Sequence, residues 1–126
     1  DAVAPWDFDA PPPRWKDTSA AAAVASGLLE LSSLLPPSAR PAARRYYDAG
    51  VKILKALSAP PYLASARVGR QPSAAPKANN PGGLMLQSIL AHGAYSIMRK
   101  QMDDGLIWGD YYYLQALQRY QQVQRP

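Results

Sequence analysis

The apolar and polar positions of the chain recur with helical rather than strand periodicity. Ala21, Val24, Leu28, Leu31 and Leu35 stand three or four residues apart, which places them along one side of a helix over about 18 to 34. Asp17, Thr18 and Ser19 come just before it with oxygens suited to the free amides of a first turn, and Asp17 is the expected cap. Pro36 and Pro37 stop this helix. Ser38 is placed to cap the next one, with Pro41 in a first turn that tolerates proline. There Ala43, Tyr47, Val51, Leu54 and Leu57 form a stripe, while Arg44, Arg45, Asp48, Lys52 and Lys55 take the other faces until Pro60 and Pro61 end it. Leu84, Leu86, Ile89, Leu90 and Gly93 predict a third helix over about 84 to 98. The segment MRKQMDDG then turns the chain into a last helix that starts between Trp108 and Asp110 and carries Tyr113, Leu117, Tyr120 and Val123 on one stripe. No stretch alternates for long enough to make a strand. The expectation is an all-α protein of two helical hairpins.

Two segments fall outside this periodicity. Residues 1–17 contain Pro5, Pro11, Pro12 and Pro13 around Trp6, Phe8 and Trp15, a composition that forces extended or polyproline geometry and predicts an arm lying across a surface. Residues 58–83 mix five prolines with Ser, Ala, Asn and Gly and show no sustained period, so a long loop joins the two hairpins. At 126 residues the chain is of a size for one domain.

Composition changes this picture in a few places. The chain is 48% hydrophobic, but alanine supplies much of that and Phe appears once, so the predicted core is one of small residues and tyrosines that lets helices approach closely. Fourteen basic residues against 9 acidic give a net charge of +5, which suits acidic polymers such as uronate-bearing polysaccharides, with nucleic acid the weaker alternative and a mildly basic surface the plain one. The only basic cluster, Arg40, Arg44, Arg45, Lys52 and Lys55, reads as a solvated helix face. Cysteine is absent, which excludes disulfides and thiolate metal sites. With one histidine and scattered carboxylates, no metal or cofactor is expected. No apolar run reaches the ~20 residues of a membrane-spanning helix, so no membrane partner is expected. The chain begins at Asp1, as a processed, excised or mature-numbered chain would.

Five blocks in order carry a family resemblance: WDFDAPPP, DTSAAAAVASGLLELSSLL, RRYYDAGVKILKALS, LAHGAY and DDGLIWGDYYYLQALQRY. Together they resemble the C-terminal part of unsaturated glucuronyl hydrolases, glycoside hydrolase family 88, over nearly the whole chain. The resemblance implies the last third of an (α/α)6 barrel, a toroid of helical hairpins with the sugar bound at its mouth, and residues 1–126 as a single partial domain of it. It implies an acidic-sugar substrate, the unsaturated uronyl oligosaccharide left by polysaccharide lyases. In that family an aspartic acid protonates the C4=C5 double bond and water adds at C5. Both of the family's key aspartates lie on earlier helices, so no catalytic residue carries over to this chain. Secretion is somewhat favoured by such an ancestry. The segments SIMRKQMDDG and SARVGRQPSAAPKANN depart from the family pattern beside the expected sugar-binding side.

Substrate-binding candidates follow from the same resemblance. His92 and Tyr95, within LAHGAY, fall where the family's final inter-helix loop approaches the sugar, and imidazole and phenol suit hydroxyls or a carboxylate. The plain alternative for His92 is a satisfied core histidine. Trp6 and Trp15 are each able to stack on a sugar face or to anchor the arm, and Trp6 is retained as a candidate. Asp110 is expected as a helix cap. The run Tyr111, Tyr112 and Tyr113 spreads around a helix and reads as packing. Asp103 and Asp104 are adjacent and so point different ways; they read as neighbours of a helix N-terminus rather than an acid/base pair. Two functions of different class remain open. One is a segment of a glycoside hydrolase without its catalytic aspartates, which needs the remainder of the barrel or self-association to cover its apolar faces. The other is a non-catalytic sugar-binding or interaction protein derived from that fold.

Overall fold

The computed structural model describes residues 2–64, 88–96, 98–99 and 103–124. The described residues form three α-helices and no strand, in keeping with the all-α expectation: α1 (Thr18–Leu34), α2 (Arg40–Leu57) and α3 (Ile107–Gln124), with a 3-10 turn at Pro37–Ala39 leading into α2. The boundaries of α1 and α2 fall where the caps and prolines place them. Leu35, held extended ahead of Pro36, ends α1. Ser38 lies inside the 3-10 turn and caps nothing, since α2 starts from Ala39 without a side-chain cap.

The third helix expected over 84 to 98 is not formed where that range is described. Residues 88–96 run as bends and isolated bridges, Leu90 opposite Leu63 and Gly93 opposite Asp104. The amides that would donate within such a helix are taken by partners elsewhere: Ile89 N and Leu90 N donate to the two oxygens of Asp110, each at 2.9 Å, and Ala91 N donates to the Tyr62 carbonyl. His92 has φ 62°, which no right-handed helix accepts. Of the long loop expected over 58–83, residues 65–83 lie outside the described residues. Its first part turns after α2 and pairs with the 89–91 segment through Ala64 N to Ile89 O and Ala91 N to Tyr62 O.

α1 lies between the other two helices and packs along both, while α2 and α3 barely meet. Its buried face consists of Thr18, Ala21, Ala22, Ala25, Ser26 and Leu29 rather than the expected stripe, for Val24 and Leu31 are exposed. The physical reason is separation. A helix flanked on two sides is packed most closely through small side chains, so the alanines go inward and the leucine edge is left outside. Gly50 on α2 continues this logic: a Cβ there would lie 3.0 Å from Leu29 Cγ and 3.2 Å from the Ala25 carbonyl oxygen. On α2 the expected stripe is the buried one, with Leu54 and Leu57 inside and Tyr47 and Val51 packed partly against them. On α3, Tyr113 and Ala116 are buried and Tyr113 meets Ser58 Oγ at 3.0 Å. Tyr111 stays at the surface, so only one of the three consecutive tyrosines belongs to the core. A polar seam also joins α1 to α3. Arg119 donates to the Ser26 carbonyl and hydroxyl and pairs with Glu30 at 2.9 Å.

The Pro-rich arm does not lie extended across the surface. It folds back on itself: Pro5 bridges to Lys16, Trp6 N donates to the Trp15 carbonyl, and Lys16 Nζ donates to the Val3 carbonyl at 2.7 Å. Val3 is the buried anchor, whereas Phe8 is exposed.

The two helical glycines should respond oppositely to the same change. Gly27 has open space where a Cβ would stand, so Gly27→Ala should stabilise by about 0.5–1 kcal/mol through helix propensity. Gly50→Ala should destabilise, and Leu29→Ala should cost about 2–5 kcal/mol. Urea denaturation of the three variants measures this, and stabilisation by Gly50→Ala would contradict the close helix crossing.

Candidate functional site

The first turn of α1 organises the site. Its leading amides have no intrahelical acceptor. Asp17 Oδ1 accepts from Ser19 N at 3.0 Å and from Ala20 N at 3.3 Å, as the expected cap, and it also accepts from Ser19 Oγ and from Ala94 N. Thr18 N donates to the His92 carbonyl, and Thr18 Oγ1 donates to the Ala91 carbonyl at 2.7 Å while fully buried. The helix start thus grips residues 91–94 as well as itself.

From the other side Asp110 holds the same segment through the Ile89 and Leu90 amides. Its expected role as a cap of its own helix is replaced by this cross-link, because it stands in the first turn of α3 with the incoming backbone beside it. Gly93 pairs with Asp104 in both directions, at 2.7 and 3.0 Å, and a Cβ at Gly93 would come within 2.8 Å of the Leu106 side chain. Only glycine fits that approach.

Between these clamps stands His92. Among the described residues it is the one non-glycine with positive φ, a conformation that costs on the order of 1 kcal/mol and persists only where neighbours over-determine it. Its Nδ1 lies 2.6 Å from Asp103 Oδ1, and its ring meets Tyr62 edge-on with centroids 6.1 Å apart. His92 is thus partly exposed and paired, which differs from a satisfied core histidine. Asp103 binds this imidazole rather than serving the N-terminus of α3, which begins only at Ile107.

A cleft of about 260 Å³ opens here, lined by Pro13, Arg14, Trp15 and Lys16 of the arm and by Pro61, Tyr62, His92 and Asp103. Its walls combine the rings of Trp15, Tyr62 and two prolines with the imidazole and two cationic side chains. Such a set offers a mainly apolar face with an imidazole in it, flanked by Arg14 and Lys16, which also donate to the Ala10 and Val3 carbonyls. Burial raises the Tyr62 phenol above its ordinary pKa, so it keeps its proton at neutral pH.

Of the three residues singled out from sequence, the structure places His92 in this cleft and the other two elsewhere. Trp6 is half-buried and does not line the cleft, whereas its neighbour across the backbone, Trp15, does. Tyr95 is exposed and leans on Trp108 with ring centroids 5.7 Å apart. Arg14, Lys16, Tyr62 and Asp103 are cleft residues that sequence reasoning did not single out. The basic cluster on α2 faces solvent, with Arg44 paired to Asp48 at 2.9 Å within the same helix.

No protein-family model matches the chain. The unsaturated glucuronyl hydrolase of Bacillus sp. (strain GL1) is 36% identical over 122 residues, which cover 94% of this chain and 28% of that protein. The unsaturated chondroitin disaccharide hydrolase of Streptococcus pyogenes serotype M1 is 33% identical over 129 residues, covering 100% of this chain and 28% of that protein. A crystal structure of the unsaturated glucuronyl hydrolase from Bacillus sp. GL1, responsible for the degradation of glycosaminoglycan, superposes with a TM-score of 0.72 at 34% identity over 97% of this chain and 28% of the other. The resemblance carried by the five sequence blocks is therefore present in both sequence and structure. This chain spans a little over a quarter of the relatives it matches, and its helices correspond to part of their helical barrel.

Because Asp110 holds two backbone amides with a charged acceptor, Asp110→Ala should cost about 3 kcal/mol. Hydrogen exchange at Ile89 and Leu90 should accelerate by about a hundredfold. Unchanged protection at both amides would show that the segment is held by something else.

Proposed function

We propose that this chain is the segment of an unsaturated-glucuronyl-hydrolase-like protein that contributes sugar contacts from the His92 cleft, with the catalytic carboxylates supplied by helices outside it. One observation carries the reading. The Asp103-paired imidazole stands in a cleft lined by Trp15, Tyr62, Arg14 and Lys16, in a chain similar over nearly its whole length to enzymes of that activity. An aromatic wall suits the face of a pyranose ring, and the cationic side chains suit a carboxylate on it. Of the residues proposed from sequence, His92 is retained as the central contact, and Trp15 takes the stacking role considered for Trp6.

Hydration of the C4=C5 bond of an unsaturated uronyl sugar needs a carboxyl group that donates a proton and then acts as base toward water. Asp103 is engaged with His92, and among the described residues the cleft presents no second carboxylate beside it. This supports a binding role for the cleft and a separate source of catalysis.

The outward faces of the helices support a larger assembly. Val24, Leu31 and Leu34 of α1 and Ile107, Tyr111, Leu114 and Val123 of α3 are exposed, and apolar side chains gathered on outward helix faces are the kind of surface that a partner covers. The remaining helices of a barrel would cover these faces, and self-association would do so in their absence.

Two measurements test the proposal. The 126-residue chain alone should give no loss of the conjugated-double-bond absorbance of an unsaturated chondroitin disaccharide; turnover would overturn the assignment of catalysis to other helices. Titration with the same disaccharide should perturb the amide resonances of Trp15, Tyr62 and His92, and Trp15→Ala should weaken binding by about tenfold. Binding that leaves those resonances unmoved would overturn the cleft assignment and favour an interaction protein using another surface.

A further inference from the structure

Asp103 adds a layer to this site that neither the similarity nor the sugar chemistry supplies. Its Oδ1 lies 2.6 Å from Nδ1 of His92, a distance at which a ring N–H donates to a carboxylate. An ionised carboxylate accepts only, and the nitrogen facing such a group is the donor. The second nitrogen, Nε2, makes no hydrogen bond among the described residues. The backbone beneath the ring is fixed with equal care. The His92 carbonyl receives Thr18 N, the neighbouring Ala91 carbonyl receives Thr18 Oγ1, and the following Gly93 is locked to Asp104, the residue next to Asp103. One bridge therefore sets the distance between the two segments that carry the imidazole and the carboxylate. The positive φ of His92 is the conformational cost of bringing its ring to this carboxylate.

We propose that Asp103 is a positioning residue for His92. It holds the neutral imidazole as the Nδ1–H tautomer, so that Nε2 meets the ligand as a hydrogen-bond acceptor for a sugar hydroxyl. The inference rests on the reading of the cleft as a sugar site, and it assigns Asp103 no contact with the sugar. A free imidazole interchanges its two tautomers and offers an acceptor at Nε2 only part of the time. Asp103 removes that ambiguity and holds the ring plane before the ligand arrives, which lowers the cost of ordering it on binding.

His92 is the sole histidine of the chain, so its ring nitrogens are observable without assignment ambiguity. The experiment is a two-bond nitrogen–proton correlation spectrum of the labelled 126-residue chain at about pH 8, where an ordinary histidine is neutral. The expected result is a protonated Nδ1 and an unprotonated Nε2. Asp103→Leu should return the ring to a mixture of tautomers and weaken binding of the unsaturated chondroitin disaccharide by about tenfold. Asp103→Asn keeps an acceptor oxygen at the same place and should restore both the tautomer and most of the affinity. A merely structural role for Asp103 would lower stability without moving the tautomer. A wild-type spectrum with Nε2 protonated overturns the proposal, as does a tautomer that Asp103→Leu leaves unchanged. The sugar reading is separated by His92→Ala. If that variant weakens binding while Asp103→Leu does not, positioning fails and the sugar site stands; if His92→Ala binds as tightly as the wild type, the sugar reading fails and the ligand role of Asp103 with it.

Discussion

The hydrogen bonds at the first turn of α1 are the constraint on which the rest depends. A helix start carries several amides without intrahelical partners, and a buried start has no water to satisfy them. Here Asp17 and the carbonyl of His92 take them, so the solution to a local problem of helix ends also fixes a segment more than seventy residues away. The hydroxyl of Thr18 extends the grip to Ala91. Remove this knot and three things lose their reference together: the direction of α1, the fold-back of the arm whose residue 17 amide bonds to Ala4, and the place of the imidazole.

Packing outward from that knot is governed by closeness rather than by side-chain size. The alanine face of α1 lets α2 approach until Gly50 touches Leu29, and at the other end Gly109 of α3 lies against Ser19, where a Cβ would be 3.2 Å from its Cα. Close backbones bring many atoms into contact, and that offsets the small apolar area each alanine buries. The sequence pattern ranked the leucines as the inner stripe because hydrophobicity weights grow with size. It was right on α2, where the large side chains do point inward, and wrong on α1, where two neighbours compete for the same helix. The boundaries of α1 were legible, because the Asp17 cap and the following prolines act through the backbone nearby. The helix expected over 84 to 98 was not, because its apolar spacing is real while its amides at 89 and 90 are claimed by Asp110, a residue twenty positions away.

The lining of the candidate cleft was legible only in part. His92 could be singled out from its residue type and from LAHGAY, and the structure places it in the cleft. Trp6 and Trp15 are equivalent candidates in the sequence, and only the fold-back of the arm, with Trp6 N bonded to the Trp15 carbonyl, leaves Trp15 on the cleft. In the sequence Asp103 and Asp104 read only as adjacent carboxylates that point different ways. What joins Asp103 to His92 is the antiparallel Gly93–Asp104 pairing, which lays the two short segments side by side and leaves the carboxylate diagonal to the imidazole. That is a tertiary fact, and nothing in the spacing of the two segments announces it.

The placement of the candidate cleft on irregular backbone follows from the same physics. A helix presents side chains at fixed angles from a cylinder, and it does not turn an imidazole back toward a carboxylate on a neighbouring loop. A left-handed residue does so at a cost on the order of 1 kcal/mol, provided that its flanking carbonyl and amide groups are bonded elsewhere. Here both conditions are met by the two helices: α1 holds the carbonyls of residues 91 and 92, and α3 holds the amides of residues 89 and 90. The helices thus carry the strain of a segment that they do not contain. This explains why blocks of sequence that read as a cap and a packing helix, around Asp17 and Asp110, matter to a site at which neither side chain is exposed to the cleft.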